Sequence, residues 1–163
     1  MSYFEKFPKI SYTLDDYRTG QVVPDILRRN AFVSEIVNNT AFFDTYDVRD
    51  GETPEILADL FYNDPTLHWV ILHANEIVDP RFDWPLDTNS LVRFCEGKYA
   101  NIYATHHFED VNGYVVNSTE VGSTPISNFT YEDRLNEEKR RIKIIKSELV
   151  STIVSEFDSV INK

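Results

Sequence analysis

The sequence predicts an α+β fold: a small strand-helix-helix-strand core, a β-hairpin, and a C-terminal helical arm. Three observations predict it. Residues 53–75 hold two successive proline-initiated stretches with apolar faces at helical spacing. Asn112-Gly113 sits between two runs rich in β-branched and aromatic residues, the signal of a tight hairpin. From Leu149 to Ile161 the apolar residues recur every three to four positions, as on one face of a helix.

The elements follow in chain order. KISYT (9–13) suits a short strand, and residues 20–32 begin extended before a turn into VSEIV (33–37). AFFDTYDV (41–48) has strand character and runs into the turn dipeptide Asp50-Gly51. Thr53 is placed to cap a helix, Pro54 takes the first helical position where its missing N–H costs nothing, and Glu55 complements the helix dipole. Ile56, Leu57, Leu60 and Phe61 then form one apolar stripe. So short a helix cannot stand alone. Asp64 and Pro65 repeat the device, and Leu67, Trp69, Val70, Ile71, Leu72 and Ala74 make the second helix apolar almost all round, so it is buried on more than one side. Asn75 reads as a left-handed residue ending that helix, and a strand after it is expected to complete the sheet begun by 41–48.

Asp87 or Thr88 caps a third helix carrying Leu91, Val92, Phe94 and Cys95, ended by Gly97 or by Lys98-Tyr99. Residues 102–117 form the hairpin, and Ser118–Thr130 reads as a loop or extended arm. Charged residues 131–139 permit a helix, 140–146 resemble a strand, and Ser147 opens a final amphipathic helix. The expected organisation is an N-terminal segment (1–40) packing on a core (41–100), a hairpin and loop (101–130), and a C-terminal arm (131–163).

At 163 residues the chain fits one domain, or one small domain with attached arms, and is long enough to bury a real core. Its net charge of −11 opposes phosphate backbones and anionic lipid, so neither nucleic acid nor membrane is an expected partner. The acidity is concentrated in 1–133, whereas 134–163 is slightly basic. The one cysteine, Cys95, cannot form an intramolecular disulfide and reads as a buried small hydrophobe. The N-terminus lacks a basic-then-apolar leader and no stretch reaches membrane-spanning length, which predicts a soluble protein that is not exported.

Catalytic patterns are missing. His68 and His73 lie about 140° apart around a helix and cannot grip one ion, while His106 and His107, adjacent on a strand, are expected on opposite faces. No G-x-S-x-G elbow or glycine-rich phosphate loop occurs, and no motif selects a carboxylate pair. No enzyme activity, cofactor, metal or small-molecule substrate is expected. Trp69 is expected in the core, and Trp84 is expected to anchor the 80–86 turn. The C-terminal stripe has two readings, a helix docked on its own domain or a partner-facing arm. The second is adopted, with Leu149, Ile153 and Phe157 docking on a neighbour and Ile142 and Ile144 on the preceding strand.

Asp50, Gly51, Thr53, Pro54, Tyr62, Asp64, Pro65, Trp69 and Asn75 together resemble the lysin-motif (LysM) pattern, in which a D-G-[DE]-T start leads into two short helices and an Asn before the closing strand. The longer Y-x-D-P-x-L-x-W-V-I-L-x-x-N-x-I-x-D-P form, with Trp84-Pro85-Leu86 and the tail from Asn136 to Lys146, is similar to the LysM-like baseplate wedge protein of contractile-tailed bacteriophages. Tyr62-Asn63 stands where that pattern has Tyr-Gly. The resemblance implies a structural subunit located in the virion tail baseplate and assembled in the host cytoplasm. Its partners would be other baseplate wedge and tail proteins. The rival is a LysM module binding peptidoglycan or another N-acetylglucosamine polymer, against which stand the single copy and the missing export signal.

Overall fold

The structure, a computed structural model, describes residues 3–13, 20–27 and 39–161. It is mixed α+β. The expected turn into VSEIV lies outside the described residues. The chain divides into two units: the first comprises residues 1–46, 53–80 and 143–163, the second 47–52 and 81–142.

In the first unit, β1 (Lys9–Tyr12) and β2 (Gln21–Pro24) pair antiparallel with Lys9 opposite Pro24 and Tyr12 opposite Gln21. β3 (Phe43–Asp47) leads to α1 (Pro54–Tyr62), where the Thr53 hydroxyl accepts from the Ile56 N–H. Asn63, left-handed at φ 53°, stops that helix. A 3₁₀ turn at Pro65–Leu67 is capped by Asp64, whose carboxylate accepts from the Thr66 N–H at 2.9 Å, and α2 (His68–Ala74) follows. The proline and cap logic of the sequence is realised twice.

The closing strand comes from elsewhere. No strand forms directly after Asn75; β3 pairs instead with β7 (Arg141–Ile145). The Val48 N–H donates to the Arg140 carbonyl and the Lys146 N–H to the Phe42 carbonyl, so the two strands run antiparallel. Asn75 is not left-handed (φ −106°); Glu76 takes that conformation at φ 56°. The Asn75 side chain explains its place, because its amide donates to the Lys143 carbonyl at 2.8 Å and accepts from the Lys143 N–H at 2.7 Å. One asparagine thus mimics a peptide group and binds the end of α2 to β7.

The C-terminal helix α6 (Ser147–Ile161) is part of the first unit. Val150, Ile153, Phe157 and Ile161 form its buried face and join Phe7, Trp69, Val70, Ala74 and Ile145 in one core, with Leu149 packed at its edge. The Trp69 and Phe157 rings lie 4.5 Å apart. This corrects the expectation of a partner-facing arm: Ile142 and Ile144 on β7, and Ile153 and Phe157 on α6, are all buried in the chain itself. The physical reason lies in α2, whose apolar perimeter needs cover that β3 and α1 alone do not supply. Each such large apolar side chain contributes about 1.5–3 kcal/mol when fully buried.

The second unit contains α4 (Thr88–Lys98), β4 (Thr105–Glu109), β5 (Val115–Val116), β6 (Thr124–Ser127) and α5 (Asn128–Glu138); α3 (Pro80–Asp83) leads into it. Asp87 is the cap of α4, accepting from the Asn89 and Ser90 N–H groups. The sheet order is β5-β4-β6, all antiparallel. At the hairpin tip the Asp110 carboxylate accepts from the N–H groups of Asn112 and Tyr114, and Gly113 sits at φ 83°, a conformation that favours glycine. Residues 118–130 are not a loop throughout, since 124–127 add a third strand and Ser127 then caps α5 by accepting from Thr130 N–H at 3.0 Å.

Candidate functional site

The inner face of α5 is polar. Asn128, Glu132 and Asn136, one helical turn apart, are 9%, 5% and 3% exposed. Each is matched to a partner, as buried polar groups must be. Asn128 donates to the Asn101 carbonyl. Asn136 clasps Leu86, accepting from its N–H at 2.7 Å and donating to its carbonyl at 3.0 Å. Glu132 accepts from the Lys98 ammonium at 2.7 Å and the Tyr99 hydroxyl at 2.6 Å. Burial works to raise the Glu132 pKa, but these two hydrogen bonds outweigh it and hold the carboxyl below its ordinary value. Burial, with Glu132 adding to it, pushes the nearby Cys95 thiol up, which makes it a poor nucleophile.

A second network ties β4 to α5. Arg134 grips both Glu109 oxygens at 2.7 Å, and Glu109 also meets His107 Nε2 at 2.9 Å. Arg134, then His107, holds the Glu109 carboxyl low. The His106 and His107 Nδ1 atoms lie 2.8 Å apart, and His106 stacks on Tyr131 with centroids 4.1 Å apart. The two histidines were expected on opposite faces. A register shift between Thr105 and His107 breaks the strand's alternation and brings the rings together.

The surface of the second unit carries a mostly apolar groove of about 520 Å³ between α4 and α5, lined by Phe82, Leu86, Leu91, Phe94 and Leu135 together with the charged Arg81, Lys139, Glu132 and Glu138. Phe82 is 66% and Phe94 42% exposed. The Arg81 guanidinium stands over the Phe82 ring, the Lys98 ammonium over the Phe94 ring, and Lys139 donates to the Phe82 carbonyl.

The residues singled out in the sequence are engaged in holding the fold. Asp50 accepts from the Thr88 N–H and hydroxyl and lies 3.6 Å from Arg140, while Gly51 takes φ 79° in the turn. Thr53, Pro54, Asp64 and Pro65 start helices, and burial pushes the Tyr62 hydroxyl well above its usual pKa. Trp69 is in the core. Trp84 is buried with its indole N–H on the Glu52 carbonyl at 2.8 Å. Sequence reasoning missed Asn128, Glu132 and Asn136. Their i, i+4, i+8 spacing was the available signal, hidden because polar residues at that spacing read as a solvated face.

Among the described residues no group of three or more His, Cys, Asp or Glu is placed to hold a metal ion, and no helix is long and apolar enough to cross a membrane. Polar side chains that secure the chain's own backbone, beside an exposed apolar groove, mark a mixed α+β fold whose charged and amide groups brace its own elements. The family model described as base plate wedge protein 53 matches residues 1–119, well over half the chain, and the chain belongs to that family. It is also similar to baseplate wedge protein gp53 of Enterobacteria phage T4, 33% identical over 58 residues. That match covers 36% of this chain and 30% of the phage T4 protein.

Proposed function

We propose that this chain is a non-enzymatic structural subunit of a phage tail baseplate wedge, held by protein–protein contacts to other wedge and tail proteins and helping wedges join around the hub. Its place is the virion tail baseplate, built in the host cytoplasm. The observation that carries the reading is the family match over residues 1–119. The structure supports it through what the side chains do: Lys98 pairs with Glu132 and Arg134 with Glu109 inside the second unit, and the apolar surface beside them suits contact with protein.

Within this reading the β3-α1-α2-β7 arrangement is a LysM-like core whose closing strand is delivered only after residues 81–140. Asn75, bonded to Lys143, marks where that strand must dock. The glycan-binding alternative finds no support in the tryptophans, which are 3% and 7% exposed and offer no stacking platform.

The test is co-expression with candidate baseplate wedge and tail proteins, followed by size-exclusion chromatography. A stoichiometric complex that survives moderate salt is expected. Elution as a lone species with every candidate, together with saturable retention on peptidoglycan that chito-oligomers compete away, would contradict the reading.

A further inference from the structure

Two patches on this chain match in apolar character and oppose each other in charge. The first is the α4–α5 groove, whose lining is mostly apolar and includes the cations Arg81 and Lys139. Of the two carboxylates that line it, Glu132 is buried and already engaged by Lys98 and Tyr99, which leaves Glu138. The second is the outer face of α1. Ile56 and Leu60 lie one turn apart there, 51% and 61% exposed, each preceded by an exposed acid, Glu55 or Asp59. Residues 50–80, around this helix, contain seven acids and no Lys or Arg.

We propose that α1 of one copy docks in the α4–α5 groove of a second copy. Ile56 and Leu60 enter beside Phe82, Phe94 and Leu135, while Glu55 and Asp59 meet Arg81 and Lys139. A chain of net charge −11 repels its own kind over most of its surface, so self-contact is favoured where a site bearing cations faces an acidic one. This pair of patches meets that requirement. An apolar row at i and i+4 is also the usual way a helix anchors in a groove. The contact is heterologous: each copy offers both a helix and a groove, so copies join head to tail in a row or ring. With so few anchors the contact is weak in solution and strengthens when copies are held side by side on a common assembly.

The full-length chain serves for the test. Sedimentation equilibrium into the millimolar range should show concentration-dependent association. Asp59→Lys should weaken it about tenfold, and adding Lys139→Glu to Asp59→Lys should restore most of the loss. A mixture of Leu60→Cys and Phe94→Cys variants should form a mixed disulfide under mild oxidation, native Cys95 being buried out of reach. All these positions are exposed, so circular dichroism should be unchanged. A chain that stays monomeric throughout, association indifferent to Asp59→Lys, or mixed disulfide no more abundant than in a Val78→Cys and Val121→Cys control pair would overturn the proposal. Co-purification with wedge proteins is read separately, so failure here leaves that result standing.

Discussion

Asn75→Ala removes a clasp whose cost can be worked from the structure. The Asn75 amide makes three hydrogen bonds, to the Ile71 carbonyl at 2.9 Å and to both backbone groups of Lys143 at 2.8 and 2.7 Å. The Ile71 carbonyl keeps its bond from the Asn75 backbone N–H, so the loss falls on Lys143. Lys143 and Asn75 are half-buried, which places each lost bond near the lower end of the 1–3 kcal/mol cost of an unsatisfied group. The total is about 2 kcal/mol, a large share of a domain stability of roughly 5–15 kcal/mol. In urea, with a slope of about 1–3 kcal/mol per M, the unfolding midpoint should fall by about 1 M. The chain's two tryptophans, Trp69 and Trp84, lie one in each unit, so a Trp84→Phe background makes the fluorescence report on the first unit alone. A midpoint shift below about 0.2 M would refute the argument that this side chain fastens β7 to α2.

Ile153→Asp should abolish cooperative unfolding of the first unit by circular dichroism, and the milder Phe157→Ala should cost about 3–5 kcal/mol; native-like melts for both would return α6 to the role of an arm. Burial holds the His73 pKa below its ordinary value of about 6.5. The unfolded chain therefore binds that proton first, and first-unit stability should be full above about pH 6.5 and fall as the pH drops through the folded value. In the second unit the lowered carboxyl of Glu132 contributes stability that is complete above about pH 4.5 and lost as pH falls through its folded pKa, so Glu132→Gln should flatten the acid limb of a pH-stability curve. Cys95 should react with a thiol reagent only at the rate at which the second unit opens, because it is fully buried and its pKa is raised.

Much of the local structure was legible because its causes are local. Thr53-Pro54, Asp64-Pro65 and Asp87 announce helix starts through hydrogen bonds made within three residues, and Asn112-Gly113 announces its turn for the same reason. What stayed hidden depends on distant partners. Pairing of β3 with β7 joins segments nearly a hundred residues apart, and no local pattern tells Arg141–Ile145 which strand it will meet. The α6 stripe had the right period but not the right address, since amphipathicity gives a face and never its occupant. The polar face of α5 stayed hidden because Asn128, Glu132 and Asn136 are buried by partners that only the tertiary structure supplies. Adjacent His106 and His107 failed the alternation rule at a bulge, where that rule does not hold.

A chain proposed as a built-in part of the tail baseplate must be abundant in purified particles. Quantitative mass spectrometry of virions and isolated baseplates should find it at a fixed ratio to the other baseplate proteins, retained through density-gradient purification. Its recovery only in the soluble host lysate, with none in the particles, would contradict the account.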